Sequence, residues 1–396
     1  MTRRRTRLTA LPVRSALPVA ALVVGLVGLV PPAHAAEPAQ GPGLTDGSVV
    51  SDGVVVSDGV VLSDGVVLSD GVVLSDGMAS SDGSSGAAAV AASPRLTQKL
   101  YLDPDTQAAA AVDAARAAGR TSVAKRLSLI STVPQARWFG DWTTVGATRS
   151  EVAGYVRAAR AKSQTPVLVL YAIPGRDCGL YSAGGFTEKT YPRWITQVAK
   201  GLTDGAVRGS SRALVVLEPD ALMLDCDDDA ADARRDRLIR NATKELAATG
   251  AWVYLEAGNA RWRTPADTAK RLRAGGIAYA RGFATNISNF GFTTSEKAYA
   301  AKVAARLAAA GVSASHRHYV IDTSRNGRGP MADGEWCNPP KRGLGAHPRT
   351  FTSGGALDAL LWIKLPGESD GPCHGAPGAG QWWEAGALEL VKYRRT

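Results

Sequence analysis

From about residue 96 onward, short unbroken apolar runs alternate with longer stretches in which apolar residues recur every three or four positions. The runs at 166–173, 213–217, 252–255, 277–284, 319–322 and 360–364 are rich in Val, Ile, Leu and aromatic residues, which predicts strands buried on both faces. The stretches at 193–202, 230–248, 265–273 and 294–310 carry an apolar stripe on a polar cylinder, which predicts helices. Strands that alternate with helices imply a parallel sheet, because parallel neighbours need a crossover connection. This many units implies an α/β barrel of the TIM type.

Nearly every predicted strand is followed by polar residues that a plain loop does not need. They are Arg176-Asp177-Cys178, Glu218-Pro219-Asp220, Glu256-Ala257-Gly258-Asn259, Thr285-Asn286, Asp322 to Arg325, and then Lys364, Glu368 and Asp370. In a parallel barrel the C-terminal strand ends converge on one face, so these carboxylates meet around one cleft. Paired carboxylates without a placed Ser or Cys nucleophile suit glycosidic cleavage. One stays protonated to expel the leaving oxygen, and another stays ionised to activate water or steady a positive sugar ring. Glu218-Pro219-Asp220 suits the acid: the proline stiffens the strand exit, and Glu218 or Asp177 nearby raises the pKa by repulsion. Trp138, Trp262 and Trp336 offer flat apolar faces to sugar rings, although each alone suits core packing equally well.

The formal charge of +10 is concentrated at the N-terminus. Arg3, Arg4, Arg5, Arg7 and Arg14 precede an apolar run from Leu17 to Val30 and the small-x-small motif Ala33-His34-Ala35, so residues 1–35 read as a cleaved export signal. Without them the charge is near +5, with no basic patch interleaved with aromatics, which speaks against a nucleic-acid partner. No later stretch spans a membrane. Residues 36–95 read as a spacer, because the (Ser/Thr)-Asp-Gly triplet recurs every six residues from Thr45 to Gly83 without residues to cap a stack. Residues 96–396 then form the catalytic domain. Cys178, Cys226, Cys337 and Cys373 read as two disulfides in an exported chain, with three pairings open. The pair His316 and His318 precedes its strand, opposite the proposed cleft, so no metal or other cofactor is expected.

At the strand ends the chain resembles glycoside hydrolase family 6. Tyr171-Ala-Ile-Pro-Gly-Arg-Asp-Cys178, Val215-Val-Leu-Glu-Pro-Asp220, Tyr254-Leu-Glu-Ala-Gly-Asn-Ala-Arg-Trp262, Gly282-Phe-Ala-Thr-Asn286 and Ile321-Asp-Thr-Ser-Arg-Asn-Gly327 follow that family's motif order. Glu335-Trp-Cys-Asn338 and Trp362-Ile-Lys-Leu-Pro-Gly-Glu-Ser-Asp-Gly371 continue it. The resemblance implies a distorted, incomplete parallel (β/α) barrel and hydrolysis of β-1,4-glucan with inversion. Asp220 would be the general acid, Asp177 would hold its pKa up and sit on the water chain, and Asp370 would be the candidate base. Tyr171 would distort the sugar, and Ser182 would order water from a mobile loop. Arg176, Lys364, Glu368, Asn259 and Asn286 would bind substrate, with Trp138, Trp262 and Trp336 as platforms. The disulfides implied are Cys178–Cys226 and Cys337–Cys373.

Two positions depart from the family, which usually has Asp-Ala-Gly-His where this chain has Glu256-Ala-Gly-Asn259. That removes a titratable imidazole and lengthens a carboxylate, and so bears on rate, pH profile and substrate preference. Only a short segment, 371–380, separates the Asp370 motif from Gln381-Trp382-Trp383, too short to roof a tunnel, so the expected cleft is open. The chain is therefore expected to be a secreted, monomeric endo-β-1,4-glucanase acting on a glucan polysaccharide. The other readings are a chain-end cellobiohydrolase or related β-glucan hydrolase, or a catalytically weak glucan binder.

Overall fold

The computed structural model describes residues 93–226 and 229–395. The expected signal segment and the six-residue repeat lie outside the described residues.

The described strands are β1 (Arg137–Gly140), β2 (Val167–Tyr171), β3 (Leu214–Leu217), β4 (Trp252–Glu256), β5 (Gly282–Thr285), β6 (His318–Asp322), β7 (Arg349–Thr350) and β8 (Leu357–Leu361). They form one sheet in the order β1-β2-β3-β4-β5-β6-β8-β7, parallel throughout except for β7, which pairs antiparallel on β8. The order is that of a barrel wound once, and it stops short of closing because no ladder among the described residues joins β1 to β8. Two single hydrogen bonds cross the seam. The Ala136 N–H donates to the Trp362 carbonyl at 2.9 Å, and the Trp138 indole N–H donates to the Ile363 carbonyl at 2.8 Å. The expected incomplete parallel barrel is the fold observed.

Strict alternation along the strands sorts the core into two layers. Val167, Val169, Leu214, Val216, Tyr254, Ala284, Val320, Ala359 and Leu361 fill the barrel interior. Leu168, Leu170, Val215, Leu217, Val253, Leu255, Phe283 and Ile321 face outward into the helical layer. The inward parity carries on to Tyr171, Glu256 and Asp322 at the last positions of β2, β4 and β6, so it delivers polar groups to the mouth.

The helices are α1 (Pro94–Thr97), α2 (Gln107–Ala117), α3 (Thr121–Ser131), α4 (Val145–Ala161), α5 (Tyr191–Asp204), α6 (Asp229–Ala248), α7 (Pro265–Ala274), α8 (Thr293–Ala309) and α9 (Glu384–Lys392). Pro at the second position of α5 and the first of α7 fits the first turn, where an amide donor has no partner to lose. Helices α2, α3 and α9 make a separate apolar cluster with Leu344 and Trp362 that covers the seam side.

Two predicted strands begin elsewhere. Residues 277–279 form a 3-10 turn, with Gly276 left-handed at φ 89° and Ile277 buried, and β5 starts only at Gly282. The last strand lies at Leu357–Leu361, because Trp362 and Ile363 prolong the apolar run beyond the final ladder bond while staying buried. Sequence patterning also missed β1, the two-residue β7 and helices α1 to α4 and α9.

Gly282 sits in the tightest part of the sheet: a Cβ there would lie 1.7 Å from the His318 carbonyl oxygen of β6. Gly282→Ala is expected to part β5 from β6 and to cost about 1–3 kcal/mol or more. Denaturant titration of both proteins measures this, and equal midpoints would contradict the packing described.

Candidate active site

The C-terminal strand ends open into one cleft of about 1060 Å³. Tyr171, Arg176, Asp177, Ser182, Asp220, Asn259, Lys364, Glu368 and Asp370 line it, together with Trp138, Trp262 and Trp336. The residues expected to act on or bind substrate therefore share one cavity apart from Asn286, whereas the strand-end carboxylates Glu218, Glu256 and Asp322 do not line it.

Asn286 is fully buried, and both ends of its amide are occupied: it donates to the Asp322 carbonyl at 2.8 Å and accepts from the Gly291 N–H at 2.8 Å. It braces the loop after β5 and has nothing left to offer a substrate, which corrects the expectation of a binding role. Asp322 is a brace of the same kind, accepting the N–H groups of Ser288, Ser324, Ile363 and Lys364.

Asp220 stands three residues beyond β3 in a left-handed conformation, φ 70°. Removal from water first, and the charge of Asp177 second, push its pKa up to about 7, against a hydrogen bond from the Tyr171 hydroxyl. It is protonated on the acid side of neutrality. Asp177, also left-handed at φ 59°, accepts the Ser182 N–H at 2.8 Å, and burial raises its pKa in turn. The Ser182 side chain reaches Tyr171. Tyr171, Asp177, Ser182 and Asp220 thus stand together at the cleft wall.

Glu218 does not take the expected part. It is fully buried at φ 48°, and its carboxyl accepts the N–H groups of Ala172 and Ile173 at 2.9 and 3.0 Å. Burial pushes its pKa up to about 8, so it is neutral and cannot repel a proton onto Asp220. A left-handed glutamate is uncommon, and here two backbone donors just past the end of β2, Ala172 and Ile173, hold its carboxyl. Glu256 also lies below the cleft rather than on it. Burial first, and the Asp220 charge second, raise its pKa well above the ordinary value.

Asp370 is the opposite case. Burial pushes its pKa up, but Arg325 and Lys364 outweigh this and hold it below the usual carboxylate range. Arg325 Nη1 meets both Asp370 oxygens at 2.9 and 2.8 Å, Lys364 Nζ lies 3.6 Å away, and the Asn338 N–H donates at 3.0 Å. Both oxygens are engaged, so Asp370 is a fixed negative charge and a poor proton acceptor.

The loop 175–186 is held from below. Arg176 donates to Asp141 at 2.6 Å, to the Tyr171 carbonyl at 2.8 Å and to the Ser182 carbonyl at 2.7 Å, and Asp141 accepts the Gly185 N–H at 2.8 Å. Asp141, Trp142, Gln107, Arg261 and Arg325 were missed as site residues. Arg325 stood in a quoted motif, whereas Asp141 and Trp142 follow a strand that was not predicted. Exposed Trp142 and Tyr181 add aromatic surface, and Tyr181 lies 5.9 Å from the Trp336 ring. The structure joins Cys178 to Cys226 and Cys337 to Cys373, tying down the loops that carry Asp177 and Trp336. The two histidines are engaged elsewhere, His316 with the Ala280 carbonyl and His318 with Asp358.

The buried carboxyls link stability to pH. Glu218 (about 8), Asp220 (about 7) and Glu296 (about 7, through burial) keep protons that the unfolded chain releases near pH 4. The folded state binds more protons between roughly pH 4 and 8, so stability falls as pH rises through that window. The melting temperature is expected to be lower at pH 8.5 than at pH 5.5, and Glu218→Gln, which mimics the neutral carboxyl, is expected to flatten the fall. A melting temperature that climbs toward pH 8.5 would contradict the assignment.

Against known proteins, the family model "Glycosyl hydrolases family 6" matches residues 96–394. The chain is 43% identical over 304 residues to Endoglucanase A of Cellulomonas fimi, covering 76% of this chain and 63% of that protein. It is 39% identical over 303 residues to Endoglucanase 1 of Streptomyces halstedii, covering 75% and 89% respectively. Among solved structures, the endoglucanase Cel6 of Mycobacterium tuberculosis, in complex with a methyl-cellobiosyl thio-cellobioside, superposes with a TM-score of 0.69 at 40% identity, covering 76% of this chain and 98% of that one. The chain spans less than two thirds of the Cellulomonas fimi relative's length.

Proposed function

The chain belongs to glycosyl hydrolases family 6, and from that premise we propose that it is a secreted endo-β-1,4-glucanase that cuts internal bonds of cellulose or a related glucan with inversion. The observation that carries the reading is Asp220: a carboxyl kept protonated near neutrality, hydrogen-bonded by Tyr171, recessed in an aromatic-lined cleft. Asp220 gives its proton to the glycosidic oxygen as the C1–O bond breaks. A water attacks C1 from the opposite face, and its proton leaves along Ser182 toward Asp177. Asp370, ionised beside Arg325 and Lys364, sets the negative field that steadies the positive ring. Its occupied oxygens favour that role over the base. Trp138, Trp262 and Trp336 stack against sugar faces, while Arg176, Lys364, Glu368 and Asn259 hydrogen-bond hydroxyls. Internal cutting is supported by the short 371–380 connection and by the endoglucanases among the relatives. Export is supported by the two disulfides and the N-terminal signal pattern.

Asp220→Ala is expected to lower reducing-sugar release from carboxymethyl cellulose by about 10²–10⁴-fold. Wild-type activity should fall as pH rises past about 7, where Asp220 loses its proton. Early NMR spectra of the product should show the α-anomer, and viscosity should drop before many ends accumulate. A wild type that binds glucan and releases nothing would end the enzyme reading, and an initial β-anomer would end inversion.

A further inference from the structure

At one end of the cleft the two walls touch through a single side chain. Thr106 caps α2 by accepting the Ala109 N–H at 3.1 Å, which fixes Gln107 as the first helical residue and aims it at the cleft. The Gln107 amide nitrogen donates to the Glu368 carboxyl, and to the Gly380 carbonyl at 3.1 Å. All three residues line the cavity.

The far wall is rigid. Ser369 N–H donates to the Gln381 carbonyl at 2.9 Å, Gly380 N–H to the Ser369 carbonyl at 2.9 Å, and Trp383 N–H to the Gly367 carbonyl at 2.7 Å. The segment that bears Glu368 and Asp370 is therefore laced to the 378–383 loop. Gln107 itself is exposed, and its amide is held by these two hydrogen bonds. Trp138 and Arg137 also line the cavity, and Arg137 pairs with Asp103 at 3.4 Å in the segment that leads into α2.

We propose that Gln107 is a displaceable bar across this end of the cleft, and that its grip on Glu368 and Gly380 sets how readily a glucan chain runs through the site instead of stopping there. A chain that continues past Trp138 has to pass between the first turn of α2 and the 378–381 loop, where the amide now bridges. With the bar in place the site takes a chain that ends at Trp138. With it displaced, the chain passes and an internal bond is cut. The sugar hydroxyls then satisfy the Glu368 and Gly380 groups that Gln107 releases. Gln107 acts as a specificity residue: it does not meet the reacting atoms. The inference rests on the glucanase reading above.

The test compares full-length wild type, Gln107→Ala, Gln107→Asn and Gln107→Glu. Ala removes the amide, Asn keeps it but falls short, and Glu sets a second carboxylate against Glu368. The readouts are viscosity lost per reducing end formed on carboxymethyl cellulose, and the bond-cleavage pattern of reducing-end-labelled cellohexaose. All three variants are expected to raise the viscosity-to-ends ratio by about three- to tenfold, the size set by losing one or two exposed hydrogen bonds, and to shift the positions at which cellohexaose is cut. An unchanged ratio and pattern across the three would overturn the proposal. If wild type cuts nothing, the glucanase reading fails by itself. The bar is then judged by binding: Gln107→Ala must tighten cellohexaose more than cellotriose, and an equal change for both would sink it.

Discussion

Keeping carboxyl groups out of water at the mouth of the barrel is the constraint around which this structure is arranged. Burying an ionised carboxylate is costly unless it is paired, so each acid takes one of two forms. Glu218, Glu256 and Asp220 stay protonated in surroundings that disfavour charge. Asp370 stays charged inside a ring of Arg325, Lys364 and the Asn338 amide. The division between a protonated acid and a fixed anion, on which the proposed catalysis rests, follows from the same solvation problem that shapes the fold, because the strand ends deliver both kinds of group to one opening.

The architecture and the acidic set were legible in the sequence. Unbroken Val/Leu runs that end in charged residues are hard to mistake, and Asp177, Asp220 and Asp370 came together as their strand ends required. Strand β1 was not legible: Arg137–Gly140 is four residues long and opens on an arginine, so it carries no apolar run. Its loss concealed Asp141 and Trp142. Helix α2 offers a weak, alanine-rich stripe and α3 a short one of Ala124, Leu127 and Ile130, and they share an apolar cluster with α9 from the far end of the chain, a contact that local patterning cannot register. The roles of Glu218 and Asn286 depend on which backbone N–H groups lie within reach, which the type and spacing of residues do not specify.

The seam between β1 and β8 shows how an unclosed barrel turns a weakness into a cleft. Two hydrogen bonds stand where a full ladder would run, and one of them uses the Trp138 indole. That bond fixes the ring edge, and Tyr171 packs against it edge to face at 5.3 Å, so the protein itself orients the ring. A closed sheet would have spent this position on strand pairing and left no flat face to offer.

The disulfides sit unevenly in the molecule. Both cross-link loops on the cleft side, at sequence separations of 48 and 36 residues, and the strand core contains no cysteine. A recombinant host with a reducing cytoplasm would therefore build the barrel from its apolar layers and leave the cleft rim unfastened. Yield of soluble protein would be a poor guide to yield of working protein, and an oxidising compartment matters for the finish of the rim more than for the fold beneath it.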